Sequence, residues 1–233
     1  MFINKIFRPL IDILMTLVLL LSMAWELVGP AFADLCMKLF KIEIDGYAIA
    51  PLAHEVLGIL LIILFCVHLW LNRYWLKNLF KGRYNASRFV LALFNVLLIL
   101  DVIFLLISGV MISKSIFIGW FDFMSLALAR PLHILASYWG YVIMSFHVGL
   151  YWNVMSAMMR VKLPRFLAVL LMAYGAYAFM KRNLAEYMFL RSQFVFFDFE
   201  EPLIYFLLDY IAIMILFAGL GHYLMLLLRK LKI

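Results

Sequence analysis

The chain has 233 residues, 68% of them hydrophobic and only 14% charged. A soluble domain is about half apolar and a quarter charged, so this composition excludes an ordinary soluble fold and points to a membrane protein. The net charge of +7 is spread in short clusters between apolar runs rather than gathered on one basic face, which argues for topology signals and against nucleic-acid binding.

Six membrane helices are expected, at about 8–29, 50–73, 88–112, 131–157, 164–180 and 203–228, each near the roughly 20 residues that span the hydrocarbon. Lys5 and Arg8 precede the first, and Ala31-Phe32-Ala33 resembles a signal-peptidase site. The apolar run from Ile13 to Val28 lies at or beyond the long limit of a signal segment, roughly 7–15 residues, so it reads as a retained helix. Gly29-Pro30 is expected to end that helix, and Pro51 to lie at the start of the second. Lys81-Gly82-Arg83 reads as a turn, and Pro131, Pro164 and Pro202 as the openings of the last three helices. The fifth is the shortest. Cys36 falls in a loop and Cys66 within an apolar helix, so no disulfide is expected. The absence of Cys-x-x-Cys-His excludes the usual covalent c-type haem attachment.

Lys and Arg divide unevenly between the two sides of such a bundle. One side holds Lys5, Arg8, Arg73, Lys77, Lys81, Arg83, Arg88, Arg160, Lys162, Arg165, Arg229, Lys230 and Lys232. The other holds Lys38, Lys41, Lys114, Arg130, Lys181, Arg182 and Arg191, with most of the acids, among them Asp34, Glu43, Asp45, Glu55, Asp122, Glu186, Asp198, Glu200 and Glu201. With an even helix count, the positive-inside rule puts both termini in the cytoplasm.

The five histidines carry the chemistry. His54 and His68 are fourteen residues apart, and so are His133 and His147. Fourteen residues make about four turns less 40°, so each pair shares one helix face over a rise of about 21 Å. One intervening helix makes the two bearing helices parallel, so His54 can face His133 near one surface and His68 can face His147 near the other. Haem iron takes two axial ligands from opposite sides of a flat macrocycle, and two such levels would hold two b-type haems. Gly58, one turn from His54, and Gly140, midway between His133 and His147, offer close approach to a macrocycle or simply to a neighbouring helix. Other readings of the histidines are a different metal, a proton relay or plain packing; His222 is unpaired and is read as packing.

The surrounding residues resemble the flavinylation-associated cytochrome family. The resemblance is carried by His54-Glu55-Val56-Leu57-Gly58, His68, Asn72, Trp75-Leu76 and Phe80-Lys81-Gly82-Arg83-Tyr84-Asn85. It continues through Ser108-Gly109, Met111, Ser113, Leu132-His133, Ala136, Tyr138-Trp139-Gly140, Ser145, His147, Gly149 and Trp152, and it includes Asp12-Ile13-Leu14-Met15-Thr16 on the first helix. The resemblance covers about residues 50–155. It implies a membrane cytochrome of bacterial flavin-based extracytosolic electron transfer, working between the quinone pool or a cytoplasmic-side donor and an FMN-carrying protein outside. The chain departs from the pattern in a longer insert before His54, with Cys36 and the charged stretch Lys38–Asp45. No FMN-binding module is present, so a flavin partner must be a separate chain.

The expected fold is therefore an all-α polytopic membrane bundle with a cytochrome-b-like four-helix haem core at 1–160 and two appended helices at 161–233. The expected function is transmembrane electron transfer, in a subunit that need not be a complete enzyme. The alternatives are a proton-relay or transport protein without haem, and a structural anchor for a redox partner. Propionates would call for cations near each surface: Arg130 and Lys114 on the outer side, Arg73 and Arg88 on the inner, all of which also suit snorkelling anchors. Asp101, in mid-helix at a cost of about 3 kcal/mol or more if ionised, reads equally as a proton donor to a quinone site or as a neutral polar contact. Asp12, Glu26 and Asp209 read as solvated or paired carboxylates near helix ends, and Trp70, Trp75, Trp120 and Trp152 as interfacial belt residues. The apolar loop Glu186–Glu201 reads as a surface segment, a docking patch or an extension of helix five.

Overall fold

A computed structural model describes residues 3–43, 45–120, 123–159 and 164–230, and among them the chain is helical with no strand. The principal helices are α1 (Ile3–Phe40), α2 (Gly46–Leu71), α4 (Ala86–Ile112), α5 (Leu126–Leu150), α7 (Arg165–Lys181) and α9 (Leu203–Lys230). Three short ones lie between them: α3 (Arg73–Asn78), α6 (Trp152–Met159) and α8 (Leu184–Met188). The side chains of Lys5, Glu26, Asp122, Arg160, Lys162 and Lys232, all weighed above, lie outside the described residues.

Among the described residues, four helices are long and apolar enough to cross a membrane, where the sequence suggests six. They are the segments Phe7–Trp25, Ile49–Leu71, Ala86–Ile112 and Leu203–Lys230. The other two expected spans are helices of a different character. At 25 residues α5 measures about 37 Å, but Arg130, His133, Ser137, Ser145 and His147 dilute its apolar face. It can carry them because neighbouring helices enclose it, with nine residues buried along its length. The shorter α7 has 17 residues, about 25 Å.

Two expected breaks fall elsewhere. Pro30 does not end α1, which runs on through it to Phe40. A proline removes one backbone bond, a loss that a long apolar helix tolerates, and beyond it the Lys38 ammonium pairs with the Asp34 carboxylate at 2.6 Å. The expected insert is thus largely helix. It stops where Lys41 turns left-handed, at φ 59°, with its N–H bonded to Met37 O. Pro131 lies inside α5 rather than at its start, since Ser125 is the N-cap, whereas Pro164 caps α7 and Pro202 immediately precedes α9 as expected.

The helices pack as two groups sharing α1. Ile11 and Val18 of α1 pack against Leu64 of α2, with Leu57, Leu61 and Leu71 alongside. The larger core gathers Ala24 and Leu27 of α1, Tyr138, Tyr141 and Val142 of α5, Leu184, Tyr187 and Met188 of α8, and Phe206, Tyr210 and Ile213 of α9. In the second group α5 lies between α4 and α9, and α7 packs on α9. Close approach there depends on small residues. A Cβ at Gly149 would collide with the Ala218 carbonyl, and one at Gly221 with the Phe146 carbonyl, so α5 and α9 meet backbone to backbone. The principal neighbour of α2 is α1, not α5. That leaves a boundary between the two groups, and the histidines line it.

Candidate metal centres between α2 and α5

Both α2 histidines take their outer partner from α1. The two helices run antiparallel, so α1 passes His68 with its first turns and His54 three turns later. The His68 Nδ1 lies 2.8 Å from Asp12 Oδ1, and the His54 Nδ1 lies 3.0 Å from Ser22 O. A carboxylate and a carbonyl both accept, so each Nδ1 carries a proton, and in the neutral ring that ligates a metal the lone pair is on Nε2. On the other side α4 serves α5 in the same way. Ser108 Oγ donates to Phe104 O at 2.6 Å, which leaves its lone pairs to accept from His133 Nδ1 at 3.1 Å. Three of the four histidines are therefore held as the tautomer that ligates through Nε2. A ligating histidine commonly donates its other N–H to such a partner.

The facing geometry suits one metal between two rings. The His54 and His133 ring centres are 6.1 Å apart, with planes at 74°. A metal–imidazole bond of about 2 Å on each side, plus about 1 Å from nitrogen to ring centre, gives roughly 6 Å. The same spacing lies within the range of an edge-to-face aromatic contact, so the tautomers discriminate better than the distance does. Gly109 faces the His133 ring, and a Cβ there would touch its Cε1 at 3.4 Å, while Gly58 has open space where a Cβ would project. At the other level His147 lies within electrostatic reach of His68 and Asp12, and its ring centre is 4.9 Å from that of Tyr151. The His147 Nδ1 is buried, with no hydrogen-bond partner among the described residues. The Asn72 amide approaches His68 Nε2 only at 3.4 Å and makes its better bond, 2.9 Å, to His68 O.

Among the described residues no three His, Cys, Asp or Glu side chains gather to hold a metal. Each histidine pair offers two ligands, too few for a metal bound by side chains alone, yet the number that a haem requires, because the macrocycle supplies the rest. The residues present fit such a group at the ligand positions.

The other expected site residues have surroundings of their own. The space at Gly140 belongs to Asp101: a Cβ there would overlap the Asp101 carboxylate, so this glycine makes room for an acid on α4. Asp101 is 7% exposed, and its Oδ2 has no hydrogen-bond partner among the described residues. Arg88 is already engaged, donating to Arg83 O at 3.0 Å, to Asn78 O at 2.8 Å and to Lys81 O, with its guanidinium over the Tyr84 ring. It closes the loop before α4. Arg130 is exposed. Arg73 rests on the Trp70 and Tyr74 rings, and the Lys114 N–H bonds Glu55. Near the His147 end, Trp75, Tyr84, Arg88, Leu91 and Tyr151 line an open-sided cavity of about 300 Å³.

Two carboxylates have partners that the sequence reading does not name, although it reads Asp209 as solvated or paired and places Glu55 beside His54. Glu55 gathers Ser113 Oγ and the N–H groups of Lys114, Ser115 and Ile116 at 2.7–3.0 Å, bracing α2 against the end of α4 beside His54. Asp209, fully buried, accepts from Lys181 at 2.8 Å, from Arg182 Nε at 2.8 Å and from Tyr174 at 2.5 Å, with Arg182 Nη2 at 2.6 Å as a further ion-pair contact. Its partners come from α7 and the turn after it, which no local signal reveals. Arg182 also bonds Glu201 at 2.6 Å and, ahead of every other influence, holds that carboxyl below its ordinary pKa.

No family model matches the chain, and no curated protein and no solved structure resembles it significantly. The functional reading therefore rests on the residues and their arrangement.

Proposed function

We propose that the chain conducts electrons across a bacterial cytoplasmic membrane through two b-type haems, one held by His54 and His133 and the other by His68 and His147. The observation that carries this reading is that Nδ1 of His68, His54 and His133 lies within hydrogen-bond distance of Asp12, Ser22 O and Ser108, partners that leave Nε2 of each neutral ring free to ligate. Haem iron supplies reversible one-electron chemistry when bound. The chain's own residues fix ligand orientation, keep the two levels about 21 Å apart along α2 and α5, and exclude water with apolar packing. Six crossings with both termini cytoplasmic complete the topology, α5 crossing under the cover of its neighbours and α7 packed along α9. The partners are membrane quinol and an extracytosolic FMN-carrying protein. The cavity beside Tyr151 supports the quinol assignment, being largely apolar and reaching the ring that adjoins His147.

The test is a haem count with oxidised and dithionite-reduced spectra on protein purified from haem-replete cells. Two low-spin b haems per chain are expected, falling to one in His54→Ala and one in His147→Ala. A colourless wild-type protein overturns the reading and favours a proton relay that uses the unpartnered Asp101.

A further inference from the structure

The two histidine levels are alike in ligand number and unlike in what stands behind them. At the first, His54 donates to a peptide carbonyl and His133 to a serine hydroxyl, both neutral. At the second, His68 donates to the Asp12 carboxylate at 2.8 Å, and His147 has no partner on Nδ1. The nearest cation on α1 is Arg8, one turn earlier. One of its guanidinium nitrogens is spent on Leu71 O at 2.9 Å, and among the described residues it makes no ion pair with Asp12. The Asp12 side chain is 32% exposed and that of His68 24%, so the pair sits in a setting where its charge is only partly screened.

A carboxylate behind an imidazole draws its N–H proton and raises the basicity of the other nitrogen. A more basic axial ligand favours the more positive, oxidised iron, and the nearby negative charge acts in the same direction. A carbonyl or hydroxyl polarises its histidine less, and neither carries net charge.

We propose that Asp12 is a tuning residue that makes the group bound between His68 and His147 the harder of the two to reduce, giving the chain a built-in direction. A two-electron donor of the quinol class, becoming quinone and releasing its two protons to the adjoining water, delivers its electrons singly to the His68–His147 level, from which they run downhill to the His54–His133 level. From there they leave one at a time to a flavin-class acceptor, so each electron entering is matched by one leaving. This inference rests on the bis-histidine reading above.

The experiment is a spectroscopic redox titration of the detergent-solubilised holoprotein, comparing wild type with Asp12→Asn. Two midpoints are expected in wild type. Asp12→Asn raises the lower one by a tenfold change in its oxidised-to-reduced ratio, about 59 mV for a one-electron couple, and leaves the upper one in place. An unshifted lower midpoint, or an equal shift of both, overturns the proposal. Where Asp12→Asn yields no folded protein, the single-haem variants carry the same test. The haem left in His54→Ala must titrate at a lower potential than the one left in His68→Ala, and an equal or reversed order overturns the proposal. A wild-type protein without haem fails the function itself, an outcome the haem count distinguishes before any titration.

Discussion

Replacing Gly149 by alanine adds one methyl group where α5 and α9 touch. The added Cβ would overlap the carbonyl carbon, the oxygen and the Cα of Ala218, all backbone atoms that cannot rotate away. Relief requires the two helices to separate, which also loosens the reciprocal contact of Gly221 with the Phe146 carbonyl. Overpacking of a tight site costs about 1–3 kcal/mol, and an obstacle made of backbone puts Gly149→Ala at the upper end. Gly219→Ala is the internal control. The three atoms nearest its Cβ all belong to the flexible Met172 side chain, which can change rotamer, so a cost below about 1 kcal/mol is expected. Thermal unfolding in one detergent, followed by intrinsic fluorescence, compares the two. Gly149 is also two residues from His147, so on the two-haem proposal the variant should lose haem at that level before it does so at His54 and His133. Equal melting shifts for the two variants, or a Gly149→Ala protein as stable as wild type, would refute the reasoning that backbone contact sets the α5–α9 separation.

Other expectations follow from the polar contacts. Asp209→Ala leaves Lys181 and Arg182 facing a buried void and should cost about 3 kcal/mol, read as a lowered melting temperature; a shift no larger than that of an exposed control such as Asp34→Ala would count against a buried ion-pair centre. Glu55→Ala removes the acceptor for four donors and should cost about 1–3 kcal/mol, with the His54–His133 haem spectrum perturbed and the other unchanged. The Glu201 carboxyl titrates below its ordinary value of 4.5 because Arg182 bonds it. Its contribution is therefore complete above that value and is lost as pH falls through the lower folded one. Melting temperatures of wild type and Glu201→Gln should accordingly converge in acid and differ near neutrality, and parallel pH profiles would contradict this.

Much of the architecture was legible because membrane helices announce themselves by composition. The runs at α2, α4 and α9 are nearly pure hydrocarbon, and the fourteen-residue histidine spacing is a local property of two helices. The helix α5 was legible by its histidines and less so by its hydropathy, because a helix enclosed by other helices need not be apolar on every face. Gly29-Pro30 misled in the opposite direction: the local rule for a helix end was outweighed by apolar sequence on both sides. The contacts missed are those made between distant residues. Asp12 reaches a histidine 56 positions away, and Gly140 accommodates Asp101 across a helix interface. Single-residue reasoning could assign Asp12 a pairing role but could not name its partner.

On the two-haem proposal, the division of the histidines between two helix groups also sets an order of assembly. The hairpin of α1 and α2 is made before α5 and can enter the membrane with His54 and His68 already oriented by Ser22 and Asp12. It would then hold half of each proposed ligand pair and nothing to close it. His133 and His147 follow 79 residues behind their respective partners, on a helix seated between α4 and the later α9. Haem capture would thus fall late, as the step that joins an early hairpin to a later bundle. Chains truncated before α9 should accumulate as inserted, colourless precursors.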